Sequence, residues 1–88
     1  MPERTVTVAS SVGLHARPAA VFVKKAKELP VPVTLAKEGG KPVSAKSMLQ
    51  VMSLDVQHGD EVTVAAEGEG ADVAVDELAG LLESDLDA

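Results

Sequence analysis

Apolar and polar residues alternate along Thr5–Ala9 (TVTVA), the period of a strand with one buried face. The same period recurs at Val31–Ala36 and at Glu61–Glu67, where Val62, Val64 and Ala66 fall on one side. Pro32 inside the second segment places that strand at a sheet edge or moves its start to Val33. Two other segments follow the helical period. Ala19, Phe22, Val23, Ala26 and Leu29 line one stripe, with lysines opposite, in a helix that begins near Pro18 and is stopped by Pro30. Ala71, Ala74, Val75, Leu78, Leu81 and Leu82 form a second stripe in a helix over Ala71–Leu86. Asp72, Asp76 and Glu77 sit in its early turns, where the helix dipole favours acids. Gly39-Gly40 turns the chain into a short strand at Lys41–Ala45, and His58-Gly-Asp is a further turn. Ser47 caps a short helix, Ser47–Leu54, with Val51 and Leu54 facing inward.

The resulting order, β-α-β-β-α-β-α, predicts an α+β fold: a four-stranded antiparallel sheet covered on one face by three helices, an open-faced β-sandwich. No repeat or linker interrupts it, and residues 1–88 read as one domain.

Composition narrows the function. Phe22 is the single aromatic residue, so a base-stacking platform is lacking and nucleic-acid partners are not expected. Without cysteine there is no thiolate or disulfide chemistry, and with only His15 and His58 as histidines neither a metal site nor a cofactor is expected. No apolar stretch approaches the ~18–20 residues that cross a bilayer, so a cytoplasmic monomer without membrane insertion is the expectation. Charge is divided along the chain. Residues 1–46 carry all 8 basic side chains and 3 acids (+5), whereas residues 47–88 carry 11 acids and no base (−11). A chain so divided suits an acidic partner on its basic part.

The chemistry concentrates at Gly13-Leu-His-Ala-Arg-Pro-Ala-Ala20. Pro18 is preorganised for a first helical turn, so His15 stands just ahead of a helix N-terminus, where free amides and the positive dipole end attract anions. Gly13 lets the approaching loop turn, and Arg17 adds a permanent charge. An imidazole of ordinary pKa about 6.5 is largely neutral and nucleophilic at pH 7. A phosphoryl group on it would gain about 0.3–2 kcal/mol from the helix terminus and about 1.5–3 kcal/mol from Arg17. Those magnitudes steady a phosphohistidine without trapping it, because each 1.4 kcal/mol is roughly tenfold in onward transfer. With no catalytic base, metal or nucleotide loop beside it, this is a carrier's chemistry more than that of a self-sufficient enzyme. From the residues alone, however, a histidine just before a helix is usually a plain loop residue, and the Arg-Pro pair can serve only as punctuation.

Ser11-Val-Gly-Leu-His-Ala-Arg-Pro-Ala19 resembles the active-site signature of HPr, the histidine-containing phosphocarrier family of the bacterial sugar phosphotransferase system. Lys46-Ser-Met-Leu-Gln-Val-Met-Ser-Leu54 resembles that family's second signature, in the Gram-positive style. The resemblance implies that His15 accepts phosphate on Nδ1 from phosphorylated enzyme I, itself charged by phosphoenolpyruvate, and passes it to a IIA component of a sugar permease. It further implies that Arg17 neutralises the phosphoryl oxygens and that the amides of Ala16 and Arg17 bind them. Ser47 matches the serine that a dedicated kinase phosphorylates in many Gram-positive relatives, which would block acidic partners. Gln50 and Asp55 stand where glycine is common in those relatives, and Gly39-Gly40 lengthens the hairpin by one residue.

Spacing gives the docking surface. Arg17, Val21, Lys24 and Lys27 share a face of the first helix, flanked by Ala20, while Met48, Leu49 and Met52 fall outside the inward set of the short helix. An apolar centre with a basic rim suits acidic enzymes, and methionines adapt to several of them. The competing reading is a regulatory interaction protein, in which phosphorylation of His15 or Ser47 controls binding to a kinase or transcriptional regulator. A nitrogen-type phosphorelay or catabolite control belongs to that class. A small-ligand-binding domain fits poorly with so few aromatic residues. His58, in its turn, reads as structural or solvated.

Overall fold

A computed structural model describes residues 2–9, 13, 14 and 16–84. Its elements follow the predicted order: β1 (Glu3–Thr7), α1 (Ala16–Glu28), β2 (Val33–Lys37), β3 (Val43–Ser44), α2 (Met48–Ser53), β4 (Glu61–Ala66) and α3 (Ala71–Glu83). The strands form one antiparallel sheet in the order β1-β4-β2-β3. This is the open sheet with three helices that the patterning predicts.

Register decides which side chains are covered. Val6 lies opposite Val62, and Leu35 opposite Val64, which puts these residues on the helix-covered face. They pack there against Phe22, Val75, Leu78 and Leu82 in one apolar cluster. Burying each such Val or Leu fully contributes about 1.5–3 kcal/mol before entropy is charged against it. The opposite face carries Thr5 and Thr63, whose hydroxyls hydrogen-bond at 2.9 Å. Arg4 shares the covered face at its margin and reaches α3, where its guanidinium lies 3.3 Å from Asp76 and 3.9 Å from Glu83.

The boundaries differ from the pattern where hydrogen-bond partners run out. Alternation predicts β1 over Thr5–Ala9, but β4 begins at Glu61, opposite Thr7, so the ladder ends there. Val8 stays buried and donates instead to the Asp60 carbonyl at 3.0 Å, and Ala9 donates to Leu82 of α3 at 3.0 Å. β2 starts at Val33 and lies between β4 and β3, so Pro32 marks the strand's beginning and not a sheet edge. β3 is only two residues long, since Pro42 has no N–H for a ladder. α3 ends at Glu83 with Ser84 as its C-cap, short of the predicted Leu86, which lies outside the described residues.

Candidate functional site

α1 opens at Ala16, which places Pro18 in its first turn, fully buried. The N–H groups of Ala16 and Arg17 are therefore among the four that a helix N-terminus leaves without an intrahelical acceptor. No acidic residue stands in that first turn. Arg17 is exposed in it, two positions after 15. His15 itself, with Ser11 and Val12 of the same motif, lies outside the described residues. Both neighbours of that position are fixed: Ala16 by the helix, and Leu14 by a fully buried side chain and a backbone N–H that donates to the Val56 carbonyl at 3.0 Å.

The predicted docking residues divide between two hollows beside α1. Ala20, Lys24 and Lys27 line a groove of about 500 Å³ against α2, together with Val23, Glu28 and Met48. Val21 instead faces α3, lining a second hollow with Lys24, Lys25, Glu28 and Leu81. Lys24 and Glu28 form the ridge between the two. On α2, Leu49 is 81% exposed and Met52 39%, while Met48 is half-buried and packs against the core as well as lining the groove. Met48 thus turns further inward than its spacing suggests, because a six-residue helix lying against α1 covers more than one stripe.

Ser47 is the N-cap of α2, with extended backbone angles, and its hydroxyl accepts from the Gln50 N–H at 3.3 Å. The Gln50 side chain accepts in turn from the Ser44 N–H at 2.9 Å, a role at the sheet edge that glycine could not fill. Asp55, which follows the C-cap Leu54 of α2, has φ of +52°. That left-handed conformation suits glycine first and Asp or Asn next. His58 is exposed in its turn.

Sequence reasoning missed the polar contacts that hold these parts. Lys46 donates to the Leu29 carbonyl at 3.0 Å, and Lys37 lies 3.3 Å from the Asp60 carboxylate. The Asp60 carboxylate also accepts from the Gln57 N–H at 2.8 Å. That bond foremost, and Lys37 after it, hold its pKa below 3.8 against the opposing pull of desolvation. The two lysine contacts join segments far apart in the chain and leave no periodic signal. Among the described residues no cluster of three metal-ligating side chains occurs, and no helix is long and apolar enough to cross a membrane.

The family profile described as the PTS HPr component phosphorylation site matches residues 2–84. This chain belongs to the HPr family. The phosphocarrier protein HPr of Streptomyces coelicolor is 48% identical over 87 residues, covering 99% of this chain and 94% of that protein. The HPr-like protein Crh of Bacillus subtilis is 42% identical, covering 98% of this chain and 100% of Crh. A crystal structure of HPr-C-His from Thermoanaerobacter tengcongensis superposes with a TM-score of 0.92 at 39% identity, covering 100% of this chain and 98% of the other. With HPr membership comes the function of a phosphocarrier in the sugar phosphotransferase system, which works by meeting the enzymes of that system.

Proposed function

We propose that His15 is the carrier residue: it takes a phosphoryl group from phosphorylated enzyme I and surrenders it to the IIA components of sugar permeases. The observation that supports this most is the start of α1. Position 15 immediately precedes two orphan amides and an exposed arginine, in a first turn free of carboxylates. In the transfer, the lone pair of His15 Nδ1 forms the N–P bond as the bond to enzyme I breaks and its electrons stay on the donor. The Ala16 and Arg17 amides and the Arg17 guanidinium stabilise the oxygens throughout. Because the same contacts act before and after transfer, they hold the phosphoryl group without committing it to either side. The α1–α2 groove, with Ala20, Lys24 and Lys27 on one helix and Met48 on the other, docks both partners, aided by the exposed Leu49 and Met52 of α2 and by Val21 on the flank of α1 that faces α3. In this reading residues 1–88 act as one cytoplasmic domain and as a monomer.

Incubation with enzyme I and phosphoenolpyruvate should give an acid-labile, base-stable phosphoprotein that His15→Ala abolishes. Labelling that survived the substitution would show that the carrier residue lies elsewhere.

Similarity to Crh, described as a catabolite repression protein of Bacillus subtilis, together with the capping position of Ser47, supports a second use: phosphorylation of Ser47 as a brake on docking. A phosphate there would suit the helix terminus yet place negative charge beside Leu49 and Met52, repelling acidic partners. Transfer from the purified phosphoprotein to a sugar-specific IIA domain separates the readings. A carrier passes the label on, and a purely regulatory protein does not.

A further inference from the structure

Gly13 is buried with φ of +69°, and a Cβ built on it would stand 2.1 Å from the Val56 carbonyl oxygen and 2.8 Å from the Gln57 Cα. Both neighbours are backbone, so neither can rotate aside. The next residue, Leu14, hydrogen-bonds to that same Val56 carbonyl. The chain leading into position 15 is thus laid directly onto the turn that follows α2.

That turn is braced at both ends by one lysine. Lys37 of β2 donates to the Asp55 carbonyl at 3.1 Å and pairs with the Asp60 carboxylate at 3.3 Å. Asp60 closes the turn by accepting from the Gln57 N–H, and the Asp60 carbonyl accepts from Val8.

We infer that the turn from Val56 to Asp60 is a shelf that sets the height of the phosphocarrier loop, with Gly13, Lys37 and Asp60 as positioning residues for transfer at His15. The inference rests on the carrier reading given above. None of the three lines the groove between α1 and α2. A disturbed shelf therefore alters the approach of the reacting atoms while leaving association intact, and misplacement by ~1 Å costs up to ~10²-fold in rate.

The test is the rate of phosphoryl transfer from enzyme I as a function of concentration for Gly13→Ala, Asp60→Ala and Asp60→Asn. Each is assayed where circular dichroism shows it folded. We expect Gly13→Ala to lower kcat about tenfold or more, with KM within about twofold of the unsubstituted chain. Asp60→Ala moves kcat the same way by a smaller factor, and Asp60→Asn, which keeps an acceptor for the Gln57 N–H, restores most of it. A merely structural shelf would shift the melting temperature of Asp60→Ala without splitting kcat from KM. If Gly13→Ala does not fold, the Asp60 pair decides alone. Unchanged kcat in Asp60→Ala, or a raised KM at constant kcat, with label confined to His15, overturns the shelf by itself. Label persisting in His15→Ala overturns the carrier reading and this assignment together.

Discussion

Lys46, the residue before the cap of α2, sends its ammonium to the carbonyl of Leu29, just beyond the last residue of α1, at 3.0 Å. A positive charge at that end of α1 complements the helix dipole, and the contact ties together the two helices that flank the proposed docking groove. Lys46→Met should lower stability by about 1–2 kcal/mol in urea unfolding, whereas Lys46→Arg should retain most of it.

Ser47→Ala removes the hydroxyl that accepts from the Gln50 N–H and should cost about 1 kcal/mol of unfolding free energy. Ser47→Asp restores an acceptor with the favourable sign of charge, so its melting temperature should return to near that of the unsubstituted chain. Its association with enzyme I, measured by titration calorimetry, should nevertheless weaken. If Ser47→Asp bound enzyme I undiminished, charge at this cap would not control docking.

Leu35 and Leu49 offer the same side chain in opposite settings, fully buried in β2 and 81% exposed on α2. Leu35→Ala should cost about 2–5 kcal/mol of stability. Leu49→Ala should leave stability within about 0.5 kcal/mol but raise the Kd for enzyme I by about tenfold, the loss of one anchoring side chain. Equal destabilisation by the two substitutions would show that Leu49 packs into the fold and does not serve docking.

Asp60 predicts the acid behaviour of the shelf. Its folded pKa lies below 3.8, so its contribution to stability is fully present above that value and is lost as pH falls through the lowered one. The stability gap between the unsubstituted chain and Asp60→Ala should therefore be constant from neutrality down to about pH 5 and should close below pH 3.8. Chemical unfolding followed across that range reads the gap directly.

Element types were legible because each strand and helix buries one face, and burial writes a period into the chain. Val62, Val64 and Ala66 announce β4, and Phe22 with Val23 and Ala26 announces α1. Boundaries were less so. Val8 is as buried as any strand residue, yet its partner is a turn carbonyl, and alternation registers only the burial. At the site, the motif exposed the imidazole, the guanidinium and the proline, since they fall within four positions of the chain. It could not show that Gly13 meets Val56, that Lys37 meets Asp60, or that Val21 and Met48 lie on different flanks of α1. Those are distances across the fold, fixed only when the elements pack. The glycine was itself a usable signal, because its positive φ is needed where backbone approaches backbone.

The sheet order also dictates when the molecule can assemble. Among the described residues β1 hydrogen-bonds to no strand but β4, and the paired hydroxyls of Thr5 and Thr63 are 58 residues apart in the chain. Synthesis runs from the N-terminus, so β1 must wait, its edge open, until β4 has been made. A nascent chain halted before Glu61 holds β2 and β3 but lacks the central strand that joins them to β1. Completion, and with it escape from proteases and from pairing with neighbouring chains, is decided by the arrival of Glu61–Ala66.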